Sequence, residues 1–209
     1  MTISNYLSFI RILLVPVLVV VLLTRVEHYH VIGAIVFWVA AITDGLDGYL
    51  ARKRKEVTKL GTILDPIADK MLMTGALVSL IELQYDGHSL APAWMVFVIL
   101  LREFAVTGIR AVGAEDGLII PAGIWGKWKV GFQIAAISLL IIGPLFDQKF
   151  YEWTNWELFR YFVTLRYPFG FFVGMGTILL WTSMLLAFWS GYLYIKQYWD
   201  YSVSKGQGR

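Results

Sequence analysis

Apolar residues along this chain come in long, nearly unbroken runs, not in the alternating or one-faced pattern of a soluble domain. The runs fall near residues 7–24, 31–51, 62–83, 92–113, 124–146 and 170–195. Each approaches the roughly 20 residues that a helix needs to cross a bilayer. A backbone in lipid must satisfy its own hydrogen bonds, so runs of this length predict helices. The expected fold is all-α integral membrane, six transmembrane helices in one domain over residues 1–209. Arg11 and Pro16 interrupt the first run, which predicts interfacial N-terminal turns that bend into the membrane near the proline. The stretch 147–169 breaks the pattern. It carries Lys149, Arg160 and Arg166 among Phe150, Tyr151, Trp153, Trp156, Phe159, Tyr161 and Phe162. Aromatic rings and snorkelling cations favour the headgroup level, so this stretch reads as an interfacial amphipathic segment.

Composition agrees: 58% of the 209 residues are hydrophobic and 16% are charged, against about 25% charged in soluble domains. No cysteine is present, which excludes disulfides and thiolate metal sites. The net charge of +3 is small and locally concentrated, so it speaks to topology, not to nucleic acid as a partner. Arg52, Lys53, Arg54, Lys55 and Lys59 crowd the link 52–60, and Lys196, Lys205 and Arg209 mark the tail, while 84–91 has no Lys or Arg. The positive-inside rule then places both termini and the 52–60 link in the cytoplasm, in keeping with an even number of spans. Met1–Asn5 lacks the basic start of a signal peptide, so the first run is expected to be retained. The absence of a transit peptide favours a prokaryotic cell membrane.

Against this background four aspartates stand out, in the pattern Asp44-x2-Asp47-Gly48-x2-Ala51-Arg52-x8-Gly61-x3-Asp65-x3-Asp69. A carboxylate deep in a spanning helix costs about 3 kcal/mol. At 100° per residue, Asp44, Asp47, Gly48 and Ala51 share one stripe of the second helix, and Gly61, Asp65 and Asp69 share one on the third. Two acidic stripes then flank a basic link. Oxygen-only ligands suit hard cations such as Mg²⁺, Mn²⁺ or Ca²⁺. Four carboxylates exceed what one Mg²⁺ takes, whereas two ions with shared ligands fit a phosphoryl-transfer site. Read structurally, a lone aspartate would be a helix cap or an interface residue neutralised by nearby lysine or arginine. Four of them, in phase with glycines, exceed what capping needs.

This string resembles the signature of the CDP-alcohol phosphotransferases, Asp-x2-Asp-Gly-x2-Ala-Arg-x8-Gly-x3-Asp-x3-Asp, at every fixed position. The resemblance implies a six-helix membrane enzyme, usually a homodimer, with a two-metal site open to the cytoplasm. It implies that Asp44, Asp47, Asp65 and Asp69 hold two divalent cations (Mg²⁺ or Mn²⁺) and that Asp69 is the general base. It further implies that Gly48, Ala51, Arg52, Thr58 and Gly61 surround the CDP end of a CDP-lipid.

A second cluster bears on the acceptor. Arg102-Glu103-Phe104-Ala105-Val106-Thr107-Gly108-Ile109-Arg110 is followed by Gly126-Lys127-Trp128-Lys129 and Gln133. Arg110, Lys127 and Lys129 offer a cationic pocket for an acceptor that carries a phosphate. Arg102 lies deeper, where a structural pairing with Glu103 competes with substrate binding. The bland reading of the other three is ordinary positive-inside charge. The cluster resembles the branch of the family whose substrates are CDP-diacylglycerol and sn-glycerol 3-phosphate, and the resemblance spans residues 4–133. Ser8 and Val130 stand where that branch usually has threonine. Other acceptors (inositol phosphate, serine, phosphatidylglycerol) keep the same chemistry. A divalent-cation transporter would need carboxylates near the bilayer midplane and related halves, and a lipid-binding scaffold would leave the aspartates without a role.

Overall fold

The computed structural model describes the backbone of residues 3–54, 59–118, 123–154 and 170–207, and side chains at 6–43, 64, 66–118, 123–150 and 170–203. The helices are α1 (Ile3–Thr24), α2 (Tyr29–Arg54), α3 (Lys59–Glu82), α4 (Ala93–Glu115), α5 (Ile124–Thr154) and α6 (Phe171–Gln207). Three described stretches, Tyr6–Thr24, Ile124–Phe150 and Phe171–Val203, are long and apolar enough to cross a membrane. The protein is an all-α integral membrane protein.

The helix bounds and one link add local detail. α1 is helical on both sides of Pro16. The missing proline amide releases only the Ile12 carbonyl, and the ladder on either side holds the helix. α5 continues to Thr154, so residues 147–154 extend the fifth helix, and 155–169 lie outside the described residues. The link 84–91 contains an antiparallel ribbon, β1 (Gln84–Tyr85) with β2 (His88–Ser89). Asp86 and Gly87 both take positive φ, 49° and 80°, which is the two-residue turn that Asp-Gly favours. The ribbon returns the chain onto the end of α3. Leu90 N–H donates to Leu83 O and Ala91 N–H to Leu80 O, at 2.9 and 3.1 Å, which satisfies carbonyls that a helix end leaves open.

The chain divides into two compact units. In the first, residues 1–91 with 137–176, α2 and α3 pack on α1. The buried stripe of α1 is Ser8, Arg11, Val15, Leu18 and Leu22, spaced three and four apart as one helix face requires. Phe9, Leu13, Val17 and Val20 are exposed and form the other, equally apolar side. Small residues set the helix spacing. A methyl at Gly33 would meet Leu22, and one at Gly75 would meet Val15 and Val19 at 3.0 and 3.2 Å. His30 Nδ1 lies 2.6 Å from Ile141 O, tying the start of α2 to α5.

A buried carboxylate closes this unit. Asp147 of α5 is fully buried and accepts the Phe172 and Val173 amides at 2.9 and 3.1 Å. It serves α6 as an N-terminal cap supplied from another helix. A methyl on Gly170 would overlap the Asp147 carboxylate.

In the second unit, residues 92–136 with 177–209, α4, the first turns of α5 and most of α6 come together. Trp94 and Trp181 meet edge to face at 5.4 Å. α4 ends where Gly117 takes φ 87° and Leu118 N–H reaches back to Gly113 O at 2.7 Å, a left-handed glycine stop.

Replacing Asp147 with leucine leaves two helix-start amides without acceptors, at about 1–3 kcal/mol. The purified D147L protein is expected to melt several degrees lower in detergent, with its helical circular dichroism at low temperature unchanged.

Candidate metal and substrate centre

The buried face of α2 runs through Gly33, Phe37 and Ala40. Carried along the helix at the same three-and-four period, it reaches the positions of Asp44, Asp47 and Ala51. Thr43, beside them, is buried, and its hydroxyl donates to Val39 O. On α3 the buried face is Leu83, Leu80, Ala76, Leu72 and Ala68. Carried backward, it reaches Asp65 and Gly61. The helical backbone that the two acidic stripes require is therefore present at every one of these positions. Asp44, Asp47, Gly48, Ala51 and Arg52 occupy the last turns of α2, and Gly61, Asp65 and Asp69 the first turns of α3. Apart from Asp69, their side chains lie outside the described ones, and so does Thr58 entirely. Among the described residues no group of three His, Cys, Asp or Glu converges.

Asp69 itself is half-buried, one residue from fully buried Ala68. It therefore borders the packed face of α3. Pro66 lies inside the same helix and lacks the amide that would serve the Thr62 carbonyl. α1 brings a charge to the same level. α1 and α3 run in the same direction, because Gly75 faces Val15 and Val19 while Arg25 donates to Glu82 O at 3.1 Å. From the Val15–Gly75 contact, Arg11 lies about 6 Å back and Asp69 about 9 Å back, at about 1.5 Å per residue. The two are level to within about one turn. Arg11 is 0% exposed, which places a guanidinium inside this unit near the depth of Asp69.

The cationic residues form a separate group in the second unit. Arg102 donates from Nε to Ala187 O at 2.7 Å and from a terminal nitrogen to Ser190 Oγ. The face of Gly191 leaves room for its side chain. Arg102 is thus engaged in fastening α4 to α6, and its other terminal nitrogen lies 3.8 Å from Glu103. Lys129 is buried and ion-paired with Glu103. Arg110 and Lys127 are exposed, and the Arg110 guanidinium lies 6.0 Å above the Tyr194 ring, at the outer limit of a cation–π contact.

A family model described as CDP-alcohol phosphatidyltransferase matches residues 1–189. The chain belongs to this family. It is similar to a Bacillus subtilis protein named CDP-diacylglycerol–glycerol-3-phosphate 3-phosphatidyltransferase, 36% identical over 94% of both chains. Proteins of the same name from Rickettsia bellii and Pseudomonas fluorescens are 32% and 30% identical, over 92% and 99% of this chain. They cover 92% and 95% of their own lengths. As a member of the CDP-alcohol phosphatidyltransferase family the chain is a membrane transferase, of a family generally dependent on divalent cations.

By residue type, carboxylates along the ends of two helices and no thiol in the chain suit such cations. Several positioning residues had no signature in sequence. Tyr194 accepts the Gly123 amide at 3.1 Å, Tyr198 donates to Asp116 Oδ2 at 3.2 Å, and Tyr201 donates to Asp116 O at 2.8 Å. Spaced four and three apart, these tyrosines lie along one face of α6 and clasp both ends of the α4–α5 link. Arg110 precedes that link and Lys127 follows it. The tyrosine spacing was visible, but its target was not, because helical period names a face and not what it meets.

Each hydroxyl contributes about 1 kcal/mol. The Tyr198→Phe, Tyr201→Phe double variant is expected to speed amide exchange at Asp116–Leu118 by about tenfold or more. The exchange of buried α3 amides serves as the control and stays unchanged.

Proposed function

We propose that this protein transfers the phosphatidyl group of CDP-diacylglycerol to sn-glycerol 3-phosphate, releasing CMP and forming phosphatidylglycerophosphate for the synthesis of anionic phospholipid. The support for the acceptor is the shared name of relatives that cover more than nine-tenths of the chain. The support for the chemistry is the pair of in-phase acidic stripes, with Asp69 half-buried at the edge of one.

In this reading Asp44, Asp47, Asp65 and Asp69 hold two divalent cations, Mg²⁺ or Mn²⁺. When bound, these neutralise the pyrophosphate and stabilise the departing phosphate. Gly48, Ala51 and Gly61 leave backbone open to the cytidine, and Arg52 and Thr58 bind the diphosphate. Arg110 and Lys127 draw in the phosphate of the acceptor. Lys129 and Arg102 act from behind them through Glu103. Asp69 takes the proton from the attacking hydroxyl. The hydroxyl oxygen bonds to the phosphorus that carries diacylglycerol, the bond from that phosphorus to the CMP oxygen breaks, and CMP leaves with the electron pair. Both termini and the site face the cytoplasm of a prokaryotic cell, since the 52–60 link is the most basic stretch. The enzyme works as a homodimer among membrane lipids.

An Asp69→Asn enzyme keeps the side-chain shape and loses the base. CMP release from CDP-diacylglycerol and glycerol 3-phosphate should fall by a factor of about 10² to 10⁴, with the melting temperature within a few degrees of wild type. Turnover within tenfold of wild type would remove Asp69 from the base role.

A further inference from the structure

One polar group in the second unit has no role in the chemistry so far. Gln133 of α5 is 1% exposed, and its Nε2 has no hydrogen-bond partner. A buried donor left unmet costs free energy, and proteins seldom leave one unless something else meets it. Gln133 stands one turn beyond Lys129 on the same face of α5, where side chains four apart are neighbours. Lys129 is 2% exposed and paired with Glu103. The next turn of that face is Ala136, Ile137 and Leu140, all fully buried. Gln133 is therefore the polar group one turn inward of the buried Lys129–Glu103 pair, at the point where this face of α5 turns apolar, while Lys127 lies on the exposed side of the same helix.

We infer that Gln133 recognises the non-reacting hydroxyl of the phosphorylated alcohol, its amide N–H donating to that oxygen. This rests on the acceptor reading above. The division of labour follows from chemistry. Ammonium and guanidinium groups serve a phosphate best, and those lie at Arg110 and Lys127. A neutral amide both donates and accepts, which matches a hydroxyl. A site built to hydrogen-bond a hydroxyl discriminates strongly against the analogue that lacks it, because its own polar group is then stranded. Gln133 thereby sets specificity for a polyol phosphate over a simple alkyl phosphate.

The experiment is a two-by-two cycle on the full-length enzyme in detergent–lipid micelles. Wild type and Gln133→Leu are each assayed with glycerol 3-phosphate and with 3-hydroxypropyl phosphate, which keeps the attacking hydroxyl and the phosphate but lacks the middle hydroxyl. Wild type should prefer glycerol 3-phosphate by about tenfold or more in kcat/KM, the worth of one good hydrogen bond. In Gln133→Leu the KM for glycerol 3-phosphate should rise by a similar factor, the preference should collapse toward one, and the KM for CDP-diacylglycerol should hold. Its melting temperature without substrate should hold or rise, since an unmet donor has gone. Gln133→Met supplies the same cycle if the leucine variant does not fold. Inorganic phosphate as a competitor should inhibit wild type and variant alike, which separates the hydroxyl from the phosphate as the group recognised. A preference retained in the variant overturns the inference, and so does phosphate inhibition that weakens with the substitution. A wild type that accepts no glycerol 3-phosphate overturns the functional reading itself, and the inference with it.

Discussion

The structure depends on placing charge inside an apolar bundle without leaving it uncompensated. Three ionic groups among the described residues meet this constraint through specific partners. Asp147 is fully buried against the amides that open α6. Lys129 is buried against Glu103, and Arg102 spends its donors on Ala187 and Ser190. A carboxylate in lipid costs about 3 kcal/mol at the centre of a span. That cost is lower near an interface and is offset by a bound cation. In the proposed function the acidic stripes at the end of α2 and the start of α3 draw on both.

Close helix approach makes that placement possible. Gly33 and Gly75 let α2 and α3 settle against α1, with Leu22, Val15 and Val19 filling the space a methyl would take. Lipid offers no hydrophobic drive for helices to associate, so small residues at the contacts supply the packing instead. The face that packs near the middle of each helix is the face that carries aspartates at its end. In α2 and α3 the packed face and the aspartate positions share one helical phase.

Much of this was legible in sequence because bilayer thickness and helical period are strong constraints. Six apolar runs gave the helices to within a few residues at most ends, and the Asp-x2-Asp-Gly string gave the family that the 1–189 match establishes. What escaped depended on tertiary partners or on local geometry. Pro16 lies inside α1 without ending it, since one lost hydrogen bond leaves the ladder on either side. The Asp86-Gly87 turn is a matter of local backbone geometry that the apolar runs do not report. The cap that Asp147 makes depends on amides 25 and 26 residues away. Arg102 carried a structural and a substrate-binding reading, and its partners on α6 lie more than eighty residues away. No local pattern could have named them.

The central claim is that one chain holds two divalent cations between the acidic stripes of α2 and α3. The most direct measurement is Mn²⁺ binding to the purified protein, counted per chain and followed by electron paramagnetic resonance. Two tightly bound ions per chain, with the spin coupling expected at about 3.5–4 Å and lost together in Asp65→Asn, is the predicted result. A single uncoupled ion per chain in a fully active enzyme would contradict it.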